Sequence, residues 1–196
     1  GMVTLHMLGA LVIVAFLIVA NYLAAPQRPK AVYAGGSRKL VWLGWAVVLL
    51  ALVQILVGTQ VRESVDAAAQ QLGPMGRDGW LQPSLYYSIH KIAWMLLAAG
   101  AAFWLRGVFA ELGSNRTIRL TGIGIMASMG LEICFGLVLA MFDLPPVVQP
   151  LHMLFANLIF ALAFSMWMQV MGVGRMMKKG ISEQVALETS AWIDAK

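Results

Sequence analysis

Five long apolar runs, separated by short polar gaps, constrain the fold of this chain more than any other feature. Each run has the roughly 20 residues that an α-helix needs to cross a bilayer. Only helices or closed barrels pair every backbone polar group within lipid. The predicted membrane helices cover residues 3–24, 40–61, 86–105, 120–142 and 148–172. The sequence therefore predicts an all-α integral membrane protein with about five transmembrane helices.

Composition argues against a soluble protein that binds nucleic acid. Of the 196 residues, 60% are hydrophobic and 12% are charged, which is about half the charged share of a typical soluble domain. The net charge is +5, but the basic residues stand in gaps between apolar runs and do not share one face of a soluble domain. We therefore expect membrane lipid, and no nucleic acid, around this chain. The single cysteine, Cys134, excludes an intrachain disulfide.

The basic residues also predict an orientation. With alternating helices, eleven of the 14 lysines and arginines fall on one side, and only Arg62, Arg77 and Lys91 fall on the other. The positive-inside rule then puts the C-terminus in the cytoplasm and the N-terminus outside the inner (plasma) membrane. We predict a long outer loop over 62–85, with a short interfacial helix over 62–72, and a tight outer turn over 143–146.

Two short repeats suggest a duplicated bundle. Leu-His-Met-Leu begins the first predicted helix at 5–8 and the fifth at 151–154. A second pair, residues 54–58 and 132–136, shares an isoleucine and a final glycine. Helix 1 then reads as the last helix of a first repeat, and helices 2–5 as a complete second repeat. The expected units are residues 1–30 for the remaining helix, 38–175 for a four-helix bundle, and 176–196 for a cytoplasmic tail.

The three histidines, His6, His90 and His152, all lie within about two turns of the outer ends of predicted helices. Ionisable side chains within a membrane are costly and tend to mark function. Two neutral imidazoles at one depth on neighbouring helices can ligate a heme iron from both sides. The alternative is that each histidine only forms a hydrogen bond between helices. Zinc is disfavoured, because no cysteine or carboxylate lies at that depth to complete a tetrahedral set.

Three further charged residues enter the site hypothesis. Arg62 and Lys91 lie near the outer level of the histidines, where they could pair with heme propionates; the alternative for Lys91 is ordinary snorkelling to the interface. Glu132 lies near the middle of helix 4. A protonated, hydrogen-bonded carboxyl is favoured there over a proton relay, because Gln54 at the repeat position is neutral.

Three motifs carry a resemblance to a known family. Gly-Thr-Gln-Val-Arg at 58–62 resembles the Gly-x-x-Val-Arg signature of heme A synthases, which are cytochrome oxidase assembly proteins. Ser-Ile-His-Lys at 88–91 resembles their helix-borne His-Arg motif, with lysine where arginine is usual. Residues 144–152, from Leu-Pro-Pro to His152, resemble the start of their last helix. The resemblance covers the end of the family's first half and all of its second half.

The resemblance implies both a fold and a cofactor. Family members have eight transmembrane helices in two four-helix halves, and each half supplies two histidines to a heme site. His90 and His152 match the axial iron ligands of the second-half heme b site. His6 matches the last-helix histidine of the first half, where this oxidoreductase family converts heme O to heme A, so here it is an orphan ligand of a missing site.

The resemblance also limits the expected activity. The partner histidine of His6 and the catalytic glutamate belong to helices that this sequence lacks. We therefore expect heme b binding without heme A synthesis by the chain alone. Expected partners are a missing N-terminal half or a heme O synthase. Two alternatives stay open: a small membrane b-type cytochrome that passes electrons to a partner, and a non-redox assembly or scaffold subunit.

Overall fold

The computed structural model describes residues 2–24, 37–73, 79–81 and 84–172. The described residues form five helices: α1 (Met2–Ala24), α2 (Arg38–Leu72), α3 (Leu85–Leu112), α4 (Arg116–Met141) and α5 (Val148–Met171). Each is long and apolar enough to cross a membrane. The predicted all-α fold with five transmembrane helices is thus confirmed. The predictions for Arg28, Lys30, Arg77 and the tail fall outside the described residues.

Helix α2 is longer than predicted. It continues through residues 62–72, so the helix expected there is present but is not a separate interfacial segment. Residues 61–72 contain neither glycine nor proline and include three consecutive alanines, which favour a helix. The helix ends at Gly73, whose φ of 66° lies in the positive region that glycine adopts without strain.

Helices α3 and α4 also extend past their predicted bounds and meet in a turn of three residues. Asn115 begins α4, and its side-chain oxygen accepts hydrogen bonds from the backbone N–H groups of Thr117 and Ile118. Arg106 therefore lies within α3, and Arg116 within the first turn of α4. The hydropathy pattern did not predict these additional helical turns, because helical hydrogen bonding continues after the apolar run has ended.

Two helical hairpins, α2–α3 and α4–α5, build the bundle. They meet mainly where α2 packs against α5, whereas α3 and α4 touch only sparsely. At the start of α2, two indole rings reach across to backbone carbonyls: Trp104 Nε1 donates to Leu40 at 2.9 Å, and Trp167 Nε1 donates to Val41 at 3.1 Å. The first bond lies within the α2–α3 hairpin and the second joins α5 to α2, so both hairpins are linked at the end of the bundle that is distant from the histidines.

Helix α1 lies at the edge of this bundle, against α2 and α5. Near its start, the hydroxyl of Thr4 lies 3.0 Å from that of Thr59 on α2. Near its end, the buried hydroxyl of Tyr22 donates to the Ser165 carbonyl of α5 at 3.1 Å. Most of its remaining apolar surface is exposed. The division into a single helix plus a four-helix unit stays a prediction.

Candidate functional site

The structure brings together two of the three histidines. His90 lies in the second turn of α3, and His152 in the second turn of α5. Their ring centres are 6.4 Å apart, with an angle of 68° between the ring planes. Both side chains are partly buried. Because α3 and α5 belong to different hairpins, the pair forms only when the two hairpins pack together.

Each histidine faces a glycine on the other helix of its own hairpin. A Cβ atom built on Gly58 would lie 3.3 Å from Cε1 of His90, and one built on Gly136 would lie 3.3 Å from Cε1 of His152. These distances are tighter than ordinary van der Waals contact, so a larger residue would push the ring away. The glycines therefore set how closely each imidazole approaches its neighbouring helix.

One turn before each glycine, a polar side chain on the same helix contacts the histidine that faces that glycine. Nε2 of Gln54 lies 3.3 Å from Nε2 of His90. Oε1 of Glu132 lies 3.3 Å from Nδ1 of His152, although this contact lacks the alignment of a hydrogen bond. The expectation that no carboxylate lies at the depth of the histidines was therefore wrong, because the Glu132 side chain reaches the His152 ring. Residues four apart share one face of a helix, so α2 and α4 present the same arrangement to the two rings.

Several buried polar atoms in this cluster have no hydrogen-bond partner among the described residues. They are Oε1 of Gln54, Nδ1 of His90, Oε2 of Glu132 and Nδ1 of His152. Buried polar groups without partners are costly in a protein interior, and more so in lipid. Four such atoms lie around the two imidazoles, so their hydrogen-bonding capacity is not used by the described side chains.

A narrow cavity lies one layer below the histidines. Its accessible volume is about 10 Å³, which is room for about one water molecule. The walls include Gln54 and Glu132, together with Trp94 and Ala156, which stand one turn after His90 and His152. The cavity is therefore shared by both hairpins, and its polar walls are the two residues that contact the histidines.

Arg62 connects α2 to the start of α5 at the rim of the site. Its Nε atom lies 3.0 Å from the Asp66 carboxylate, and its Nη1 atom donates to the side-chain oxygen of Gln149 at 2.6 Å. Gln149 in turn donates to the carbonyl of Leu144. Arg62 stands one turn after Gly58, and Gln149 stands three residues before His152. The arginine is partly exposed, which keeps its remaining N–H groups accessible.

The structure separates the other two predicted site residues from the pair. Lys91 is exposed, and its ammonium group lies 4.6 Å from the ring centre of Tyr87 on its own helix, a cation–π contact. His6 is exposed on α1. Its neighbour Thr4 contacts Thr59, so His6 lies near the level of the pair but outside it.

Some members of the site were not recognised as such from the sequence. Gln149 and Gly58 belong to motifs of the resemblance but had no expected role at the site, and Gly136 appeared only as the end of a repeat. The signal was nevertheless present. Gln54 and Gly58 repeat as Glu132 and Gly136, and a spacing of four places both residues on one helix face.

Comparison with known proteins identifies the family. A model of the COX15-CtaA family, described as cytochrome oxidase assembly protein, matches residues 1–164. This range includes α1 to α4 and the part of α5 that carries His152. No curated protein and no solved structure gave a match. Since the matched range covers most of the 196 residues, this multi-pass membrane chain belongs to the cytochrome oxidase assembly protein family.

Proposed function

We propose that the chain is a membrane heme-binding protein that acts in cytochrome oxidase assembly, with heme b held between His90 and His152. The observation that carries this proposal is the separation of the two ring centres, 6.4 Å. An imidazole nitrogen binds a transition metal at about 2 Å, and the ring centre lies roughly 1.2 Å behind that nitrogen. Two imidazoles on opposite sides of one iron therefore require about this separation.

The donor set also fits a heme better than a bare metal ion. Within the described part of the chain, no group of three or more His, Cys, Asp or Glu side chains could hold a metal. A heme brings four nitrogen ligands of its own and needs two from the protein. The glycine beside each ring leaves space for the two imidazoles to serve as these ligands.

The proposal assigns a role to each residue of the site. His90 and His152 would hold the iron, and burial within the bundle would set its reduction potential. Gly58 and Gly136 leave space for the two imidazoles. Arg62 would bind propionate carboxylates at the rim. When bound, heme supplies a one-electron centre. This centre would transfer electrons during heme A formation or would stabilise the protein. The proposed partners are the N-terminal half or a heme O synthase. The proposed orientation places this site at the outer face of the plasma membrane.

A heme titration of the purified chain in detergent tests the proposal. The wild-type absorption spectrum should be that of a six-coordinate low-spin heme at one equivalent. His90→Ala and His152→Ala should each abolish that spectrum, because one axial ligand is lost. His6→Ala is the matched control and should leave it intact, since His6 is exposed on α1. Absence of the low-spin spectrum in the wild type, or its persistence in His90→Ala, would refute the assignment.

A scaffold function is the second candidate, and specific contacts favour it. The His90 ring already meets Gln54, and the His152 ring meets Glu132, as expected if the histidines only join helices. In that case the protein would purify colourless, would gain no stability when heme is added, and would lose stability when either histidine is replaced by alanine. A b-type cytochrome would instead bind heme and exchange electrons without a second half.

A further inference from the structure

Gln54 and Glu132 occupy equivalent positions but meet different nitrogens of their histidines. Glu132 approaches Nδ1 of His152, whereas Gln54 approaches Nε2 of His90. A metal binds one ring nitrogen, and the hydrogen bond made by the other nitrogen fixes the tautomer and the ring orientation. A ligand that binds between the rings would therefore affect the two polar residues differently, because each contacts a different nitrogen of its histidine.

We infer that Glu132 is a positioning residue for His152, whereas Gln54 covers the ligating nitrogen of His90 until a heme displaces it. This inference rests on the proposed heme site. On the α4–α5 side, the Glu132 carboxyl lies 3.3 Å from Nδ1 of His152 without an aligned hydrogen bond. A small rotation of the ring would let this oxygen accept a hydrogen bond from Nδ1–H, which leaves Nε2 free to bind iron. On the α2–α3 side, the amide group lies at Nε2 itself, so this contact must break before Nε2 can bind.

The cavity below the pair supports the different behaviour of the two residues. Both line it, and it has room for about one water molecule. Glu132 is 5% exposed and Gln54 is 6% exposed, and each has one oxygen without a partner. A single water between them would satisfy both oxygens. This water would hold the Glu132 carboxyl in place. It would also accept a hydrogen bond from the Gln54 amide N–H when that side chain leaves His90.

Among the described residues, the polar contacts of the two histidine rings are those with Gln54 and Glu132. A Cβ atom built on Gly58 of α2 or Gly136 of α4 would lie 3.3 Å from Cε1 of the facing histidine, and neither glycine has a side chain to hold an imidazole. The orientation of each ring therefore depends on its own polar neighbour. Removing that neighbour should change the tautomer of one histidine without repacking the helices.

Heme titrations of the full chain in detergent, with paired variants, test this inference. Glu132→Leu should lower heme affinity by about 10- to 100-fold, the usual cost of losing a partner of a metal-bound histidine. Glu132→Gln keeps an oxygen beside Nδ1 and should stay within a few-fold of the wild type. Gln54→Leu should instead raise affinity by about fivefold, the factor for one neutral hydrogen bond that no longer competes. Equal losses in Glu132→Leu and Gln54→Leu would overturn the inference.

Histidine side-chain ¹⁵N spectra of the heme-free protein provide a second readout, which does not depend on heme. In the wild type, His152 should carry its proton on Nδ1. Glu132→Leu should shift that tautomer, Glu132→Gln should restore it, and Gln54→Leu should change only His90. If wild-type protein binds no heme, the proposed function fails, and these spectra still decide the roles of the two residues. An unchanged His152 tautomer in Glu132→Leu would refute the positioning role.

Discussion

Replacing Gly44 with alanine should weaken the packing that joins the two hairpins. A Cβ atom at this position would lie 2.6 Å and 2.8 Å from ring carbons of Trp104, and 2.9 Å from a ring carbon of Trp167. Neither indole can easily move aside. Trp104 is fully buried and donates to the Leu40 carbonyl, while Trp167 donates to the Val41 carbonyl. Both carbonyls lie one turn before Gly44, on the same helix.

The size of the effect follows from three contributions to the free energy of unfolding. An extra methyl group in a tightly packed core costs about 1–3 kcal/mol. Displacing one indole from its carbonyl costs about 1 kcal/mol more. Alanine favours a helix over glycine by about 1 kcal/mol, which offsets the second contribution. We therefore expect Gly44→Ala to destabilise the protein by about 2 kcal/mol.

Thermal unfolding in a mild detergent measures this change. By analogy with soluble chains of this size, a loss of about 2 kcal/mol lowers the midpoint by about 4–8 °C. Gly130→Ala is the matched control, because Gly130 is also within a helix but has nothing within 4 Å of its added Cβ atom. That variant should unfold at or slightly above the wild-type temperature. If Gly44→Ala and Gly130→Ala have the same midpoint, the close approach of the indoles does not limit residue size.

Two further substitutions test the site. Gly136→Ala places a methyl group 3.3 Å from Cε1 of His152, so heme affinity should fall by up to about tenfold. The control variant Gly130→Ala should leave heme affinity unchanged. Equal affinities of the two variants would show that the His152 ring can shift freely. Arg62→Ala should change stability by less than about 1 kcal/mol, because its ion pair with Asp66 is exposed. The same variant should bind heme more weakly than wild type but should bind heme dimethyl ester equally well, and a deficit with both would exclude a role in propionate binding.

The sequence was sufficient for the transmembrane architecture, for a physical reason. Lipid offers no partner for backbone N–H and C=O groups, so an apolar run of bilayer length has almost no alternative to a helix. The depth of His90 and His152 followed from the same count, because position along a helix converts directly to height at about 1.5 Å per residue. The ends of the helices were less certain. Hydropathy detects where lipid contact stops, and α2 continues as a helix beyond that level to Leu72.

Which side of each helix faces the interior of the bundle was decided only by tertiary structure. His6 and His90 lie at similar depth in sequence terms, yet one is exposed on α1 and the other meets His152. Lys91 follows His90 directly and points to Tyr87, whereas Arg62 reaches Gln149 on another hairpin. Helices that are apolar on all sides carry little rotational information, because lipid and protein neighbours are similarly apolar. Rotation is set by close packing around small residues such as Gly44, Gly58 and Gly136, and that packing places Gln54 and Glu132 beside the histidine pair.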